Sequence, residues 1–159
     1  MEVYFQKLRP EAIIPSRATR ESAGFDLSVC CDAPVELSPG ETKLMHIGVA
    51  VVLPTGTAGM VYPRSGLATK HGINLANCVG VIDSDYRGEL MVPLHNHSDK
   101  PFTVQPGDRV AQMVVTPVLQ PDVREIPMGE PLPESERGTG GFGSTGISEG
   151  AAPREEMGR

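Results

Sequence analysis

The longest patterned stretch of the chain is residues 43–53, where apolar side chains recur at every second position. One parity of this stretch is entirely apolar: Met45, Ile47, Val49, Val51 and Leu53. The other parity mixes apolar and polar residues, and a period of two is typical of a β-strand with one buried face. The pattern therefore predicts one strand across this stretch.

Shorter runs of apolar and β-branched residues occur at 3–8, 59–62, 89–94, 102–104 and 109–119. Between them lie three tripeptides with the composition of tight turns: Ser38-Pro39-Gly40, Pro54-Thr55-Gly56 and Gln105-Pro106-Gly107. Proline presets φ and glycine tolerates a positive φ, as such turns require. Many short strands at this spacing indicate an antiparallel barrel or sandwich.

Helical structure is predicted only at residues 66–72 (GLATKHG), which is enough for about two turns. From about residue 120 the apolar periodicity ends, and proline, glycine, serine and charged residues dominate. Such a composition cannot bury enough apolar surface to form a packed core. The C-terminal part is therefore predicted to be an arm or tail.

Composition excludes several classes of protein. The 18 glycines and 15 prolines, about a fifth of the 159 residues, argue against an all-helical fold. A formal net charge of −6 disfavours nucleic acid and anionic membranes as partners. The 3 cysteines are an odd number without a C-x-x-C motif, which argues against a disulfide framework and a Cys-rich zinc site. No apolar run approaches the roughly 18 residues that a transmembrane helix needs. We expect a soluble, intracellular protein with no nucleic acid partner and no membrane partner.

Residues 138–143 satisfy G-x-G-x-x-G, but no strand precedes them and a Glu- and Pro-rich run does. This context excludes a dinucleotide-binding loop. The segment could instead close over a phosphorylated planar ligand, because it offers backbone amides beside Arg137 and Phe142. The alternative is a disordered linker.

Two other segments each permit a functional and a structural interpretation. In residues 79–88 a carboxylate could act as a general base or hold a metal, or the polar residues could simply form a turn. In residues 63–66 an arginine, a serine and backbone amides could bind phosphate, or Ser65 could be an ordinary helix N-cap. His95 and His97 have the spacing of a metal-ligand pair but lack further ligands, so a polar solvent-facing role is favoured.

The order of five segments is more specific than any one of them. They are 23–27 (AGFDL), 63–68 (PRSGLA), 80–88 (GVIDSDYRG), 107–112 (GDRVAQ) and 137–146 (RGTGGFGSTG). Over residues 3–146 the chain resembles the trimeric dUTPase family (deoxyuridine 5′-triphosphate nucleotidohydrolases). The resemblance implies an all-β fold, a jelly-roll-like distorted β-barrel with one short helix and a flexible Gly-rich C-terminal arm.

The resemblance also implies a division of the chain and an assembly. Residues 1–136 would form the β-barrel domain, residues 137–146 a Gly-rich lid over the active site, and residues 147–159 a disordered tail. Family members are homotrimers whose three active sites are each built from three chains. No family feature accounts for the tail.

The implied reaction is hydrolysis of dUTP to dUMP and pyrophosphate, which lowers dUTP and supplies the dTTP precursor. Asp83, rather than Asp85, matches the catalytic aspartate, the general base for a water that attacks the α-phosphorus. Mg²⁺ would bind the triphosphate and several waters, and Asp26 would contact its hydration shell.

The implied nucleotide-binding residues fall into three groups. Tyr86 would lie under the deoxyribose and exclude a 2′-hydroxyl, while a β-hairpin containing Val81 and Ile82, together with the Asn77 amide, would read uracil. The phosphates would be held by Arg64, Ser65, Gly66 and Gln112. The closing arm would contribute Arg137, Gly141, Phe142, Gly143 and Ser144.

Three alternatives remain open at this point. The first is a catalytically weak, nucleotide-binding regulator on the same fold. The second is a dCTP deaminase, for which Ser-Arg-Ser-Ser would be expected where this chain has Pro-Arg-Ser-Gly at 63–66. The third is a purely structural jelly roll.

Overall fold

The computed structural model describes residues 1–141, which contain eleven β-strands and one short helix. In chain order the elements are β1 (Tyr4–Lys7), β2 (Phe25–Ser28), β3 (Val35–Leu37), β4 (Thr42–His46), β5 (Val49–Val52), β6 (Thr57–Pro63), α1 (Ser65–His71), β7 (Ile73–Leu75), β8 (Gly80–Asp83), β9 (Met91–Asn96), β10 (Phe102–Val104) and β11 (Arg109–Pro117). The predicted all-β class with one short helix is confirmed.

The strands pair antiparallel in four groups. The largest sheet has the order β2-β11-β6-β8, and the next has the order β4-β9-β7. Two further pairs, β1 with β5 and β3 with β10, complete the barrel. Strands that are distant in sequence lie side by side, as in a jelly roll.

The apolar parity of residues 43–53 forms much of the core, because all five of its side chains are at most 4% exposed. The single strand predicted there is wrong, however: β4 ends at His46 and β5 begins at Val49. Gly48 adopts φ +72, a left-handed conformation that interrupts the strand. The side-chain alternation continues across this break, so the pattern predicted the buried face but not the corner.

The three predicted turns are confirmed. Gly40, Gly56 and Gly107 have φ values of +74, +79 and +84. Each turn is closed by a backbone hydrogen bond from the residue after the glycine to the carbonyl three positions earlier, at 3.0–3.1 Å. A positive-φ glycine at the third position supports this geometry, and in the turns at Pro39 and Pro106 a proline presets φ at the second position.

Helix α1 begins one residue earlier than predicted and ends at His71, because Gly72 follows with a left-handed φ of +66. The interpretation of Ser65 as the N-cap is wrong. Arg64, in an extended conformation, occupies the cap position, and no side chain caps the helix. Ser65 is therefore the first helical residue, and its hydroxyl is not used by the helix terminus.

Residues 1–120 form one compact unit, and the chain beyond residue 120 is a second one. Within the second unit, the described residues 121–141 are exposed and contain turns without strand or helix. This matches the loss of apolar periodicity near residue 120. Among the described residues, no helix is both long and apolar enough to cross a membrane.

Asn96 is a fully buried polar residue at the end of β9. Its Nδ2 donates to the carbonyls of Leu37 at 3.0 Å and Lys100 at 2.7 Å. Its Oδ1 accepts from the backbone N–H and the hydroxyl of Ser98 at 2.9 and 2.7 Å. The side-chain amide of Asn96 thus supplies hydrogen-bond partners to polar groups of β3 and of the loop before β10.

We expect Asn96→Ala to lower the free energy of unfolding by about 3 kcal/mol, because the buried hydrogen bond to the Leu37 carbonyl is lost and Ser98 loses its acceptor. Thermal denaturation should show a clear drop in Tm. Asn77→Ala, at an exposed asparagine, is the matched control and should change Tm little. Equal Tm values for the two variants would contradict the assigned role of Asn96.

Candidate active site

A cavity of about 420 Å³ lies where β2, β6 and β11 meet the start of α1. We call it the cationic cavity, and its polar lining includes Asp26, Arg64, Ser65, Gly66, Lys70 and Gln112. Strand register explains this grouping, because Gln112 of β11 pairs with Asp26 of β2 on one side and Tyr62 of β6 on the other. The chain then leaves β6 directly into the first turn of α1.

Two arginines hold the Asp26 carboxylate, which is 17% exposed. Arg64 Nε lies 3.3 Å from Oδ1, and Arg109 Nη1 donates to Oδ2 at 3.0 Å. Arg64 Nη1 also donates to the carbonyl of Arg109 at 3.0 Å. Asp26 and the two arginines therefore form one connected cluster at the wall of the cavity.

The first turn of α1 presents donors to the same cavity. Ser65 and Gly66 are exposed, and the amides that open a helix have no acceptor within it. A Cβ built on Gly66 meets nothing within 4 Å, so the space beside this turn is open. Backbone amides, a hydroxyl and a guanidinium together suit an anion, although the chain as a whole is acidic.

A second cavity, of about 260 Å³, lies beside β8, and we call it the Asp83 cavity. Its lining includes Val81, Ile82, Asp83, Tyr86 and Glu89. Asp83 is the last residue of β8 and is exposed, so its carboxylate is accessible to water and ligands. A carboxylate at the rigid end of a strand is suited to act as a general base.

The segment after Asp83 is a tight turn. The Tyr86 amide donates to the Asp83 carbonyl at 3.1 Å, and Arg87 Nη1 donates to the carbonyls of Ser84 and Tyr86, both at 2.8 Å. The expected β-hairpin is not present in the described chain. β8 pairs with β6, while β9 pairs with β4 and β7, because the turn directs β9 into the other sheet.

The two cavities are well separated within one chain. Asp83 pairs with Ala58 near the start of β6, whereas Arg64 follows the end of that strand, six residues further on. At about 3.3 Å per residue this corresponds to roughly 20 Å. The structure thus groups Asp26, Arg64, Ser65, Gly66 and Gln112 in one place, and Val81, Ile82, Asp83 and Tyr86 in another.

The remaining predicted residues lie in neither cavity. Asn77 is exposed in the turn before β8. Arg137 and Gly141 are exposed in the second unit. Phe142, Gly143 and Ser144 lie outside the described residues.

Arg109 and Glu89 are residues that the sequence reasoning missed. The pairing of β11 with β2 shifts in register between Arg109 and Ala111, a β-bulge that turns both Val110 and Ala111 into the core. The bulge leaves Arg109 exposed beside Asp26. The signal was present, since Arg109 lies in the fourth motif segment and Glu89 directly follows the third.

The described residues contain no cluster of three or more His, Cys, Asp or Glu side chains that could hold a metal ion. His95 and His97 are neighbours with ring centroids 4.3 Å apart, and His95 Nδ1 hydrogen-bonds to Thr42 Oγ1 at 2.8 Å. This agrees with the interpretation of the two histidines as polar surface residues.

The fold and the two cavities define a jelly-roll β protein with a cationic pocket suited to a phosphorylated ligand. The family model described as dUTPase matches residues 10–146. The chain belongs to the dUTPase family, so the resemblance based on the five motif segments is confirmed.

Individual relatives agree with this assignment. The chain is 51% identical over 134 residues to deoxyuridine 5′-triphosphate nucleotidohydrolase of Serratia proteamaculans, covering 84% of this chain and 86% of that protein. It is 45% identical over 147 residues to the enzyme of the same name from Acinetobacter baylyi, covering 92% and 96%. Its structure is similar to that of a Staphylococcus bacteriophage 80alpha dUTPase G164S mutant with dUpNHpp (TM-score 0.81, 26% identity, 92% and 99% covered).

We expect Arg109→Met to weaken binding of inorganic triphosphate, because Asp26 then retains only Arg64 as a partner and competes with the anion for it. Calorimetry should show affinity falling by about tenfold. Arg9→Met is the matched control, because Arg9 also forms an ion pair with an aspartate, Asp32, outside the cationic cavity. Unchanged affinity in Arg109→Met would exclude Arg109 from this site.

Proposed function

We propose that the protein hydrolyses dUTP to dUMP and pyrophosphate, lowering dUTP and supplying the dTTP precursor. The observation that carries the proposal is the content of the two cavities in a member of the dUTPase family. One holds the donors for a polyphosphate, and the other holds an accessible carboxylate beside a tyrosine. These are the groups that phosphoryl transfer to water requires.

Asp83 is the proposed general base. Its carboxylate accepts a proton from a water as the water oxygen forms a bond to the α-phosphorus. The bond from the α-phosphorus to the bridging oxygen breaks, and pyrophosphate leaves in line. Ser65, Gly66, Arg64 and Gln112 hold the phosphate oxygens and orient the α-phosphorus, which accounts for much of the rate gain in such reactions.

Tyr86 and the edge of β8 are proposed to select the nucleoside. The Tyr86 ring lies against the deoxyribose and leaves no room for a 2′-hydroxyl. Backbone groups of Val81 and Ile82, with the Asn77 amide, pair with the edge of uracil. Cytosine would leave buried polar groups unpaired, which gives strong discrimination.

Mg²⁺ is the proposed cofactor, and the residues of the cationic cavity fit it only as an ion carried by the substrate. Among the residues that the structure describes, Asp26 is the one carboxylate there, and two arginines already hold it. Such a site cannot enclose a bare ion, but it can accept hydrogen bonds from the ion's waters, and Mg²⁺ retains several waters when it binds phosphates. When bound, the ion neutralises charge on the triphosphate.

A homotrimer with shared active sites is the proposed assembly. Asp83 must act within roughly 10 Å of Ser65 and Arg64 if all three serve one triphosphate, since each hydrogen-bond step spans about 3 Å. The roughly 20 Å between the two groups along β6 is too far for one chain. Asp83 of one subunit would therefore serve the cationic cavity of another.

Residues 137–146 are the proposed lid, with residues 1–136 as the barrel domain and 147–159 as a tail. The family model extends to residue 146, which supports a functional role for this glycine-rich segment. Arg137 would pair with the γ-phosphate and Phe142 would stack on uracil, with Gly141, Gly143 and Ser144 closing over the nucleotide. Closure of this kind excludes water and completes the site.

We expect Asp83→Asn to lower kcat for dUTP by at least about a hundredfold while nucleotide binding persists, because an amide cannot accept the proton. Pyrophosphate release from dUTP, with and without Mg²⁺, measures this. Asp85→Asn is the matched control, since Asp85 is an exposed aspartate two residues away that lines neither cavity.

The same assay separates the alternatives. Full activity of Asp83→Asn would remove this residue from the mechanism. Tight dUTP binding without turnover by the wild-type protein would favour a regulator. Ammonia release from dCTP would identify a deaminase.

Mixing two inactive variants tests the shared site. Asp83→Asn and Arg64→Gln should each be nearly inactive, but trimers reassembled from equal amounts should regain about a quarter of wild-type activity. That fraction follows if each site takes the two residues from different subunits at random. Each variant refolded alone is the control, and no recovery in the mixture would place both residues of a site in one chain.

A further inference from the structure

Glu89 connects the Asp83 cavity to the corner between β4 and β5. Its side chain is 24% exposed, and both carboxylate oxygens have partners. Oε1 accepts from the Gly48 backbone N–H at 2.8 Å, and Oε2 lies 2.8 Å from His46 Nδ1. Two bonds in different directions fix the orientation of the carboxylate.

Gly48 is a rigid anchor for this carboxylate. It is buried and adopts φ +72, a conformation that most side chains would not tolerate. A Cβ at this position would lie 2.8 Å from Cys30 Sγ and 2.9 Å from Ala12 Cβ. Because packing this close leaves little freedom, the Gly48 N–H offers a fixed point of attachment.

The backbone of Glu89 in turn supports Tyr86. Tyr86 Oη donates to the Glu89 carbonyl at 3.0 Å. The ring lies so close to Gly88 that a Cβ there would be 2.3 Å from Oη. On the other side of Glu89, the buried Leu90 donates its N–H to the Val49 carbonyl at 2.8 Å. The position of the tyrosine ring thus depends on Gly88 and on the Glu89 carbonyl, which belongs to the Glu89–Leu90 peptide.

We propose that Glu89 is a positioning residue for sugar selection. Its carboxylate, held by Gly48 and His46, keeps the Glu89 carbonyl in place and prevents the Tyr86 ring from receding from the Asp83 cavity. This inference rests on the proposed function, in which Tyr86 excludes the 2′-hydroxyl. A ring excludes an extra oxygen only if it cannot move away, so loss of its support should admit UTP.

The test compares Glu89→Ala with Glu89→Gln. Glutamine keeps an oxygen for the Gly48 N–H and gains an NH₂ that can donate to His46 Nδ1, whereas alanine loses both contacts. Glu36→Ala is the control, since Glu36 is exposed on β3 and its carboxylate forms no ion pair in the described part of the chain. The readout is kcat/KM for dUTP divided by kcat/KM for UTP, measured well below each Tm.

We expect Glu89→Ala to lower this ratio by about tenfold, chiefly by raising turnover of UTP. Loss of a hydrogen bond to a charged group commonly has an effect of this size. Glu89→Gln and Glu36→Ala should keep the wild-type ratio. A merely structural role would lower Tm and leave the ratio unchanged. An unchanged ratio in Glu89→Ala, or an equal loss in Glu89→Gln, would overturn the inference.

Tyr86→Phe provides a second route if Glu89→Ala does not fold. It retains the ring and loses only the hydrogen bond to the Glu89 carbonyl, so it should lower the same ratio. In the double variant the two losses should be less than additive, because both act on one contact. A wild-type ratio in Tyr86→Phe also overturns the inference. Absence of dUTP turnover by the wild-type protein would instead overturn the proposed function, and the inference with it.

Discussion

The pairing of β11 with β2 on one side and β6 on the other is the constraint on which the rest of the structure depends. It places Gln112 opposite both Asp26 and Tyr62, so residues distant in sequence meet at one point. The core fixes this register, because a slip by one residue would expose Met113 and the rest of the apolar face. The cationic cavity is a consequence of burying that face.

The β-bulge at residues 109–111 shows how this constraint serves chemistry. Strict alternation would give Arg109 and Ala111 the same face, although one is charged and exposed and the other is fully buried. The bulge resolves the conflict and places the Arg109 guanidinium against Asp26. Bulges commonly redirect a side chain in this way near functional sites.

Rigid glycines fulfil a similar role on the other side of the barrel. Gly48 breaks a strand whose alternation continues unchanged, and the corner it makes offers a backbone N–H to Glu89. The Tyr86 ring fits only because Gly88 has no side chain. The wall of the Asp83 cavity that Tyr86 and Glu89 form is therefore held by packing at these two glycines.

The sequence by itself determined the fold class, the buried parity of residues 43–53, the three Pro-Gly or Pro-x-Gly turns, the short helix and the family. These follow from local rules, since side-chain alternation and the φ preferences of proline and glycine act within a few residues. Short strands such as β3 and β7 have three residues each and carry too little periodicity to be read.

Only the tertiary structure decided which predicted residues meet. The motifs predicted that Asp83 and Arg64 share one site. In a single chain, however, Asp83 lies beside the start of β6 and Arg64 follows its end, and the strand fixes the distance between them. The tertiary structure also places Arg109 beside Arg64 and places Glu89 in the cavity that Asp83 lines. Their partners, Asp26 and Gly48, lie 83 and 41 residues away in sequence, and only the packed barrel brings them together.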